Sequence, residues 1–277
     1  FGTRPEAIKM APVIKELERY PDELQSVVCV TAQHREMLDQ VLGLFGVRPD
    51  YDLDIMLPDQ TLAQLTANIL TRLDRVMAQE RPDWVLVQGD TTTVMVASLV
   101  AYYHRVRVGH VEAGLRTYDL ASPFPEEFNR QAVDLVARFY FAPTETSRQN
   151  LLREGKPDDR IYVTGNTVID ALGATVREDY SHPEIEWAKG SRLLLLTAHR
   201  RESLGTPMHD LFKAIRRVVD DTPDVKLLYP VHMNPAVREM AHSIFDGQER
   251  IHLIEPLDVL DFHNFMARAY LILTDSG

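Results

Sequence analysis

Asp90 and Glu112 stand where a parallel α/β sheet would place acids for use. Asp90, in Gly89-Asp90-Thr91-Thr92-Thr93, follows the apolar run Trp84–Val87. Glu112, in His110-Val111-Glu112-Ala113-Gly114-Leu115-Arg116-Thr117, follows Val106–Val111. Apolar runs ending in an acid near a glycine put both carboxylates at the carboxyl edge of neighbouring strands, the edge at which such sheets bind ligands. A third acidic pair, Glu126-Glu127, opens a helix behind Pro123-Phe124-Pro125, where proline and acids are both favoured. Clustered acids push one another's pKa values apart, so that one holds a proton while another accepts one, and the chemistry this suits is general acid–base catalysis. Acids at strand ends and helix starts also serve as plain turn and cap residues, and spacing alone leaves both readings open.

The net charge of −11 over 277 residues argues against a nucleic-acid or anionic-membrane surface. An anionic ligand then needs a local basic patch. Candidates are Arg4, Lys9, Arg116, the run His199-Arg200-Arg201 and His232. Thr3-Arg4-Pro5-Glu6 reads either as a turn presenting backbone N–H groups and a guanidinium to phosphate, or as an ordinary helix opening. His232 reads as a capping-turn residue or a ligand contact.

These groups need elements to hold them. Short β-like runs (Ser26–Thr31, Trp84–Val87, Val106–Val111, Phe139–Ala142, Ile161–Thr164) alternate with helix-period segments (Glu6–Arg19, Arg35–Phe45, Leu62–Gln79, Thr92–His104, Glu126–Val136, Ser147–Glu154). That alternation predicts a parallel, doubly wound sheet. A helix over Val168–Arg177 leads into a polar stretch with Ser181-His182-Pro183, read as a linker, after which the pattern restarts. Strands are expected at Leu193–Thr197, Val225–Tyr229, Arg250–Leu253 and Tyr270–Thr274, with helices near Met208–Asp220, Pro235–Phe245 and Val259–Ala267. The expected fold class is α/β, with two Rossmann-like doubly wound domains, 1–167 and 168–277, facing a cleft.

Other classes are disfavoured. No G-x-G-x-x-G follows a strand and no Walker lysine loop exists, so neither NAD nor a P-loop nucleotide site is expected. The single Cys29, within Val27-Val28-Cys29-Val30, reads as a buried, inert thiol. No H-E-x-x-H or spaced Cys/His set calls for a metal, and no cofactor is expected. The longest apolar stretch, Val94–Tyr103, falls short of the roughly 20 residues a membrane span needs. With no leader visible, cytoplasm is the expected compartment.

The motifs in their order resemble the non-hydrolysing UDP-N-acetylglucosamine 2-epimerases. They are Phe1-Gly2-Thr3-Arg4-Pro5-Glu6-Ala7-Ile8-Lys9-Met10-Ala11-Pro12, Thr31-Ala32-Gln33-His34, the GDTTT and HVEAGLRT segments, Pro143-Thr144-Glu145, Gly165-Asn166-Thr167-Val168-Ile169-Asp170, His199-Arg200-Arg201-Glu202 and Tyr229-Pro230-Val231-His232. The resemblance implies a GT-B-like pair of domains, with a strand ahead of Phe1 and more sequence after Asp275-Ser276-Gly277, so that the second domain is expected to be incomplete. It also implies a reversible epimerisation at C2 by elimination and re-addition of UDP through a glycal. Carried over by position, Asp90, Glu112, Glu126 and His199 are the expected catalytic residues. Arg4, Lys9, Arg116, Arg200, His232, Ser276 and Gly277 are the expected substrate contacts. Gln33 and His34 match positions that bind a second, activating UDP-sugar, and a homodimer is implied. A hydrolysing epimerase, a GT-B glycosyltransferase and a sugar-nucleotide binding module without catalysis are the alternatives.

Overall fold

In a computed structural model of the chain, which describes residues 1–31, 35–57, 59–198 and 204–275, the alternating pattern resolves into two four-stranded parallel sheets and a separate two-stranded parallel pair. The chain divides into two units, Phe1–Ala174 and Thr175–Gly277. The helix Val168–Thr175 therefore packs mainly with the first unit, although the sequence reading opened the second domain with it.

The first unit starts with α1 (Arg4–Leu17). Glu6 turns back on the start of this helix and accepts the N–H groups of Gly2 and Thr3 at 2.9 and 2.7 Å, the reciprocal arrangement of a capping box. The backbone donors of this turn are thus satisfied internally, which favours the helix-opening reading over a backbone phosphate cradle. Next come β1 (Cys29–Val30), α2 (Arg35–Phe45) and β2 (Tyr51–Asp52), with β1 and β2 paired in parallel. The strand expected over Ser26–Thr31 is shorter because the Val28 N–H goes to the Asp50 carboxylate at 2.7 Å instead of a ladder partner. The pairing strand β2 was not foreseen.

The main sheet follows. It runs β3 (Trp84–Gln88), β4 (Arg107–Val111), β5 (Phe139–Ala142) and β6 (Ile161–Val163), in that order and all parallel. Helices α3 (Leu62–Glu80), α4 (Thr92–Tyr103), α5 (Glu126–Val136), α6 (Glu145–Arg153) and α7 (Val168–Thr175) connect or flank the strands. Val87, Val108, Tyr140 and Ala142 point into one core with Leu65, Ile69 and Leu73 of α3 and Val94, Ala97 and Ala101 of α4. Thr91 caps α4 through its side chain, which places the helix immediately behind Asp90. Cys29 packs against this core, and burial raises its thiol pKa.

The second unit contains α8 (Pro183–Ala188), β7 (Arg192–Thr197), α9 (Thr206–Asp221), β8 (Val225–Pro230), α10 (Pro235–Phe245), β9 (Ile251–Ile254), α11 (Val259–Arg268) and β10 (Leu271–Thr274). Its strand order is β10-β7-β8-β9, all parallel. Alternate residues of β7 feed two cores: Leu194 and Leu196 meet Met208 and Phe212, whereas Leu193 and Leu195 meet Ala188 and Phe265. Both faces are covered, as a doubly wound sheet requires. The expected linker around Ser181-His182-Pro183 is instead the start of α8, with His182 accepting the Glu184 N–H and Pro183 in the first turn. No helix among the described residues is long and apolar enough to cross a membrane.

Gly114 locks the loop after β4 onto α6. Its φ is +85°, and a Cβ there would lie 2.3 Å from the Ser147 carbonyl oxygen. Backbone cannot yield as a flexible side chain does, so Gly114→Ala combines left-handed strain with a clash. We expect a loss of at least about 2 kcal/mol in urea denaturation, more than Gly-to-Ala costs where only φ is unfavourable.

Candidate active site

The parallel register sets Gln88 beside Val111, so the loops carrying Asp90 and Glu112 leave adjacent strands at the same edge. Glu112 takes up a left-handed φ of +68° and turns its carboxylate into a ring of donors. Lys9 Nζ lies 2.8 Å from Oε1 and 2.6 Å from Oε2. Asn166 Nδ2 donates to Oε1 at 2.9 Å, and Gln88 Nε2 donates to Oε2. Every partner is a donor, the hydrogen-bonding pattern of an ionised carboxylate.

Asp90 has a different setting. Arg130 Nη2 reaches its Oδ2 at 2.7 Å, and Asn129 Nδ2 donates to its backbone carbonyl at 2.9 Å. Burial raises the Asp90 pKa above its ordinary value; Arg130 and Lys9 oppose the rise, while Glu112 and Glu126 reinforce it.

Arg130 belongs to α5, a helix that buries polar side chains beside the core residue Val133. Its inward residues Glu127, Asn129 and Asp134 are at most 2 % exposed, while Phe128 and Leu135 are 49 % and 78 % exposed. Glu126 and Glu127 separate clearly here. Glu127 accepts the N–H groups of Thr117 and Tyr118 at 3.0 Å and the Gln131 amide at 2.7 Å. Burial pushes its pKa up, but these donors and Arg130 outweigh it and hold the carboxyl below its ordinary value. Glu127 is a loop anchor. Glu126 is half-buried, has no partner among the described residues and acts electrostatically on Asp90, as an acid available to a ligand would.

Beneath the two acids lies a buried ion chain. His110 Nδ1 meets Asp134 Oδ1 at 2.6 Å, and Arg116 Nη2 meets Asp134 Oδ2 at 2.6 Å; all three side chains are at most 1 % exposed. Arg116 continues to Glu154 through Nε at 2.6 Å and Nη2 at 2.8 Å. Arg116 was expected to touch a ligand; its guanidinium is instead enclosed between two carboxylates and holds the loop to α5 and α6. This corrects the sequence reading, since a fully paired, buried fork has no donors to offer outside. Burial alone would lower the His110 pKa, yet Asp134 and the Gly89 carbonyl raise it on balance. Burial likewise pushes Asp134 up, and His110 and Arg116 bring it below its ordinary value.

Arg4 is exposed at the start of α1, with no partner among the described residues. His232 is exposed in the second unit, and its Nδ1 accepts the Asn234 N–H at 3.1 Å just before α10, so it has the capping-turn geometry. His199, Arg200, Ser276, Gly277, Gln33 and His34 lie outside the described residues. Sequence reasoning missed Gln88, Asn129, Arg130, Asp134 and the donor role of Asn166. A signal existed on α5, where Glu127, Arg130 and Asp134 recur at intervals of three and four, the spacing of one helix face. No group of three or more potential metal ligands occurs among the described residues.

Comparison with known proteins matches residues 15–277 to the family described as UDP-N-acetylglucosamine 2-epimerase. The chain is 59 % identical over 277 residues to UDP-N-acetylglucosamine 2-epimerase of Bacillus subtilis (strain 168), covering all of this chain and 73 % of the relative. Among solved structures, UDP-GlcNAc 2-epimerase from Neisseria meningitidis bound to UDP-GlcNAc shares 47 % identity with a TM-score of 0.88, over 100 % of this chain and 76 % of that one. The Methanocaldococcus jannaschii UDP-GlcNAc 2-epimerase in complex with UDP-GlcNAc and UDP shares 33 % identity with a TM-score of 0.76, over 100 % and 77 %.

The ion chain has a testable stability signature. Asp134→Asn leaves His110 and Arg116 short of a buried counter-charge, and we expect a loss of about 3–5 kcal/mol in chemical denaturation. The chain's contribution is fully present between the ordinary carboxylate value of 3.8 and the ordinary imidazole value of 6.5. As pH rises from 6.5 through the raised His110 value, the unfolded chain sheds a proton that the folded chain keeps, and the contribution is lost. As pH falls from 3.8 through the lowered Asp134 value, the unfolded carboxyl gains a proton first, with the same result. The stability gap between parent and variant should therefore be widest inside this window.

Proposed function

The chain belongs to the UDP-N-acetylglucosamine 2-epimerase family and is an isomerase, and from that premise we propose that it interconverts UDP-N-acetylglucosamine and UDP-N-acetylmannosamine without net hydrolysis. The proton at C2 is not acidified by a neighbouring carbonyl, so a carboxylate cannot remove it directly at a useful rate. The proposed route expels UDP from C1, building oxocarbenium character that acidifies C2. The C2–H pair becomes the C1=C2 bond of a glycal, the proton passes to a carboxylate, and the C1–O pair leaves with UDP. A carboxylic acid then protonates the opposite face of C2 while a UDP oxygen rejoins C1.

One observation carries this reading: two acids leave adjacent strand ends at one sheet edge in different surroundings, Glu112 ringed by donors and Asp90 buried against one arginine. Glu112, surrounded by donors, suits the proton acceptor; Asp90, raised by burial, suits the proton donor. Glu126 is proposed as the third acid, with His199 beside the leaving group. Arg4, Lys9, Arg200, His232, Ser276 and Gly277 are proposed to contact the nucleotide sugar. Gln33 and His34 are proposed to take a second UDP-sugar as activator.

We further propose a homodimer. The exposed apolar residues Phe128 and Leu135 of α5 stand seven apart, which aligns them on one helix face. Sedimentation of the intact protein should change from dimer to monomer when both become glutamate; an unchanged dimer would move the interface elsewhere.

The catalytic reading is tested by incubating the intact protein with UDP-N-acetylglucosamine in heavy water, without an acceptor, and following the sugar by NMR. Deuterium at C2 of the recovered nucleotide sugar is expected. Accumulation of free sugar would mean hydrolysis, and an unchanged substrate would mean transfer or binding alone. Asp90→Asn and Glu112→Gln are each expected to lower turnover at least ~100-fold, the low end for acid–base groups, with the fold retained.

A further inference from the structure

The Gly89 carbonyl belongs to the peptide plane that carries the Asp90 N–H. Gly89 has a φ of +80°, a region from which a glycine can move into many others at little cost. Left to itself, the residue before Asp90 is the loosest joint in the loop. Two bonds close it. The Gly89 N–H donates to the Val111 carbonyl at 3.0 Å, and His110 Nε2 lies 2.8 Å from the Gly89 carbonyl oxygen.

A carbonyl oxygen only accepts, so Nε2 carries a proton. Asp134 already accepts from Arg116 through Oδ2, so its Oδ1 is free to accept the Nδ1 proton of His110. Both ring nitrogens then donate, and His110 is a buried imidazolium whose direction is set by Asp134. Its hold on Gly89 is a charge-assisted bond, roughly twice as strong as one between neutral groups. Val111 and Glu112 follow His110 directly, and the Glu112 N–H is anchored to the Phe141 carbonyl at 3.0 Å. One side chain therefore ties the turn that launches Asp90 to the strand that launches Glu112.

We propose that His110 is a positioning residue for this reaction: by clamping the Gly89 carbonyl it fixes the placement of Asp90 relative to Glu112. The proposal rests on the reading that these two acids act on the sugar. Misplacing a reacting group by about 1 Å can cost roughly 100-fold in rate, so the clamp should appear in turnover and much less in binding.

The test compares two replacements in the intact protein. His110→Asn keeps an amide N–H near the Nδ1 position, facing Asp134, but has none for Gly89. His110→Gln extends an N–H toward the Nε2 position. With UDP-N-acetylglucosamine as substrate, His110→Asn should lower kcat by ~10–100-fold while KM stays within ~3-fold, and His110→Gln should recover at least ~5-fold of that loss. Where the Asn variant does not fold, His110→Phe keeps the ring volume, lacks both donors and should show the same fall. A folded Asn or Phe variant with kcat within ~2-fold of the parent overturns the clamp. So does an equal loss in the Asn and Gln variants that follows their melting temperatures, which would mark a purely structural role. Parallel assays of Asp90→Asn and Glu112→Gln separate the two failures: if those variants keep their rate, the acids' role falls and the clamp with it; if they lose it while His110→Asn does not, only the clamp falls.

Discussion

Glu112 gathers donors from segments remote in sequence: Lys9 in α1, Gln88 at the end of β3 and Asn166 before α7. A carboxylate with a side chain 12 % exposed is costly to desolvate unless donors replace the lost water. Satisfying it forces three elements to converge on the carboxyl end of the sheet. Helix α1 does this with two residues one turn apart. Glu6 accepts from Thr91 of the β3 loop at 2.8 Å, and Lys9 pairs with Glu112 of the β4 loop. Residues three apart share a helix face, so a single turn of α1 grips both acid-bearing loops and sets the register of the helix on the sheet.

The ion chain below does the same from the other side, by a less favourable route. Burying Arg116, Asp134 and His110 together costs desolvation that pairing only partly offsets, and apolar replacements of such groups are often as stable. What apolar replacements do not supply is direction. His110 can reach Gly89 as a donor only if its other nitrogen is committed to Asp134, and Asp134 accepts that hydrogen bond because His110 and Arg116 together hold its pKa below the ordinary value. The polar inner face of α5 follows from this demand. Val133 alone of its large apolar residues is buried with that face, while Phe128 and Leu135 stay outside, so the helix fits no simple amphipathic scheme.

Part of the fold was legible in the sequence. The bounds of α2, α5, β5 and α10 coincide with those read from periodicity alone, because an 11-residue helix spans about three helical turns and a four-residue strand two strand periods. Two-residue β2 and six-residue α8 carry too little for a period to form. Asp90 and Glu112 could be read as a pair because adjacent parallel strands put their carboxyl ends together whatever the loops do. The choice between Glu126 and Glu127 is a rotation of about 100° about the helix axis, and only the helix's inward face decides it. Arg116 was misread for a related reason: its partners lie 18 and 38 residues away, and no local pattern connects an arginine to acids on two later helices.

A parallel sheet alone would give the two acids nearly equivalent places, since neighbouring strand ends lie about 4.8 Å apart and share one solvent edge. Equivalent carboxylates that close would share a proton without assigning it, titrating as a pair. The asymmetry comes from the helices. On the Glu112 side, α1 brings a lysine that engages both carboxylate oxygens, and two amides join it. On the Asp90 side, α5 brings one arginine that contacts a single oxygen and is itself shared with Glu127. Arg130 offsets only part of the burial and of the repulsion from Glu112 and Glu126. The different surroundings of the two carboxylates thus follow from which helix start faces which strand end. Interchanging the flanking donors would interchange those surroundings, with the sheet unaltered.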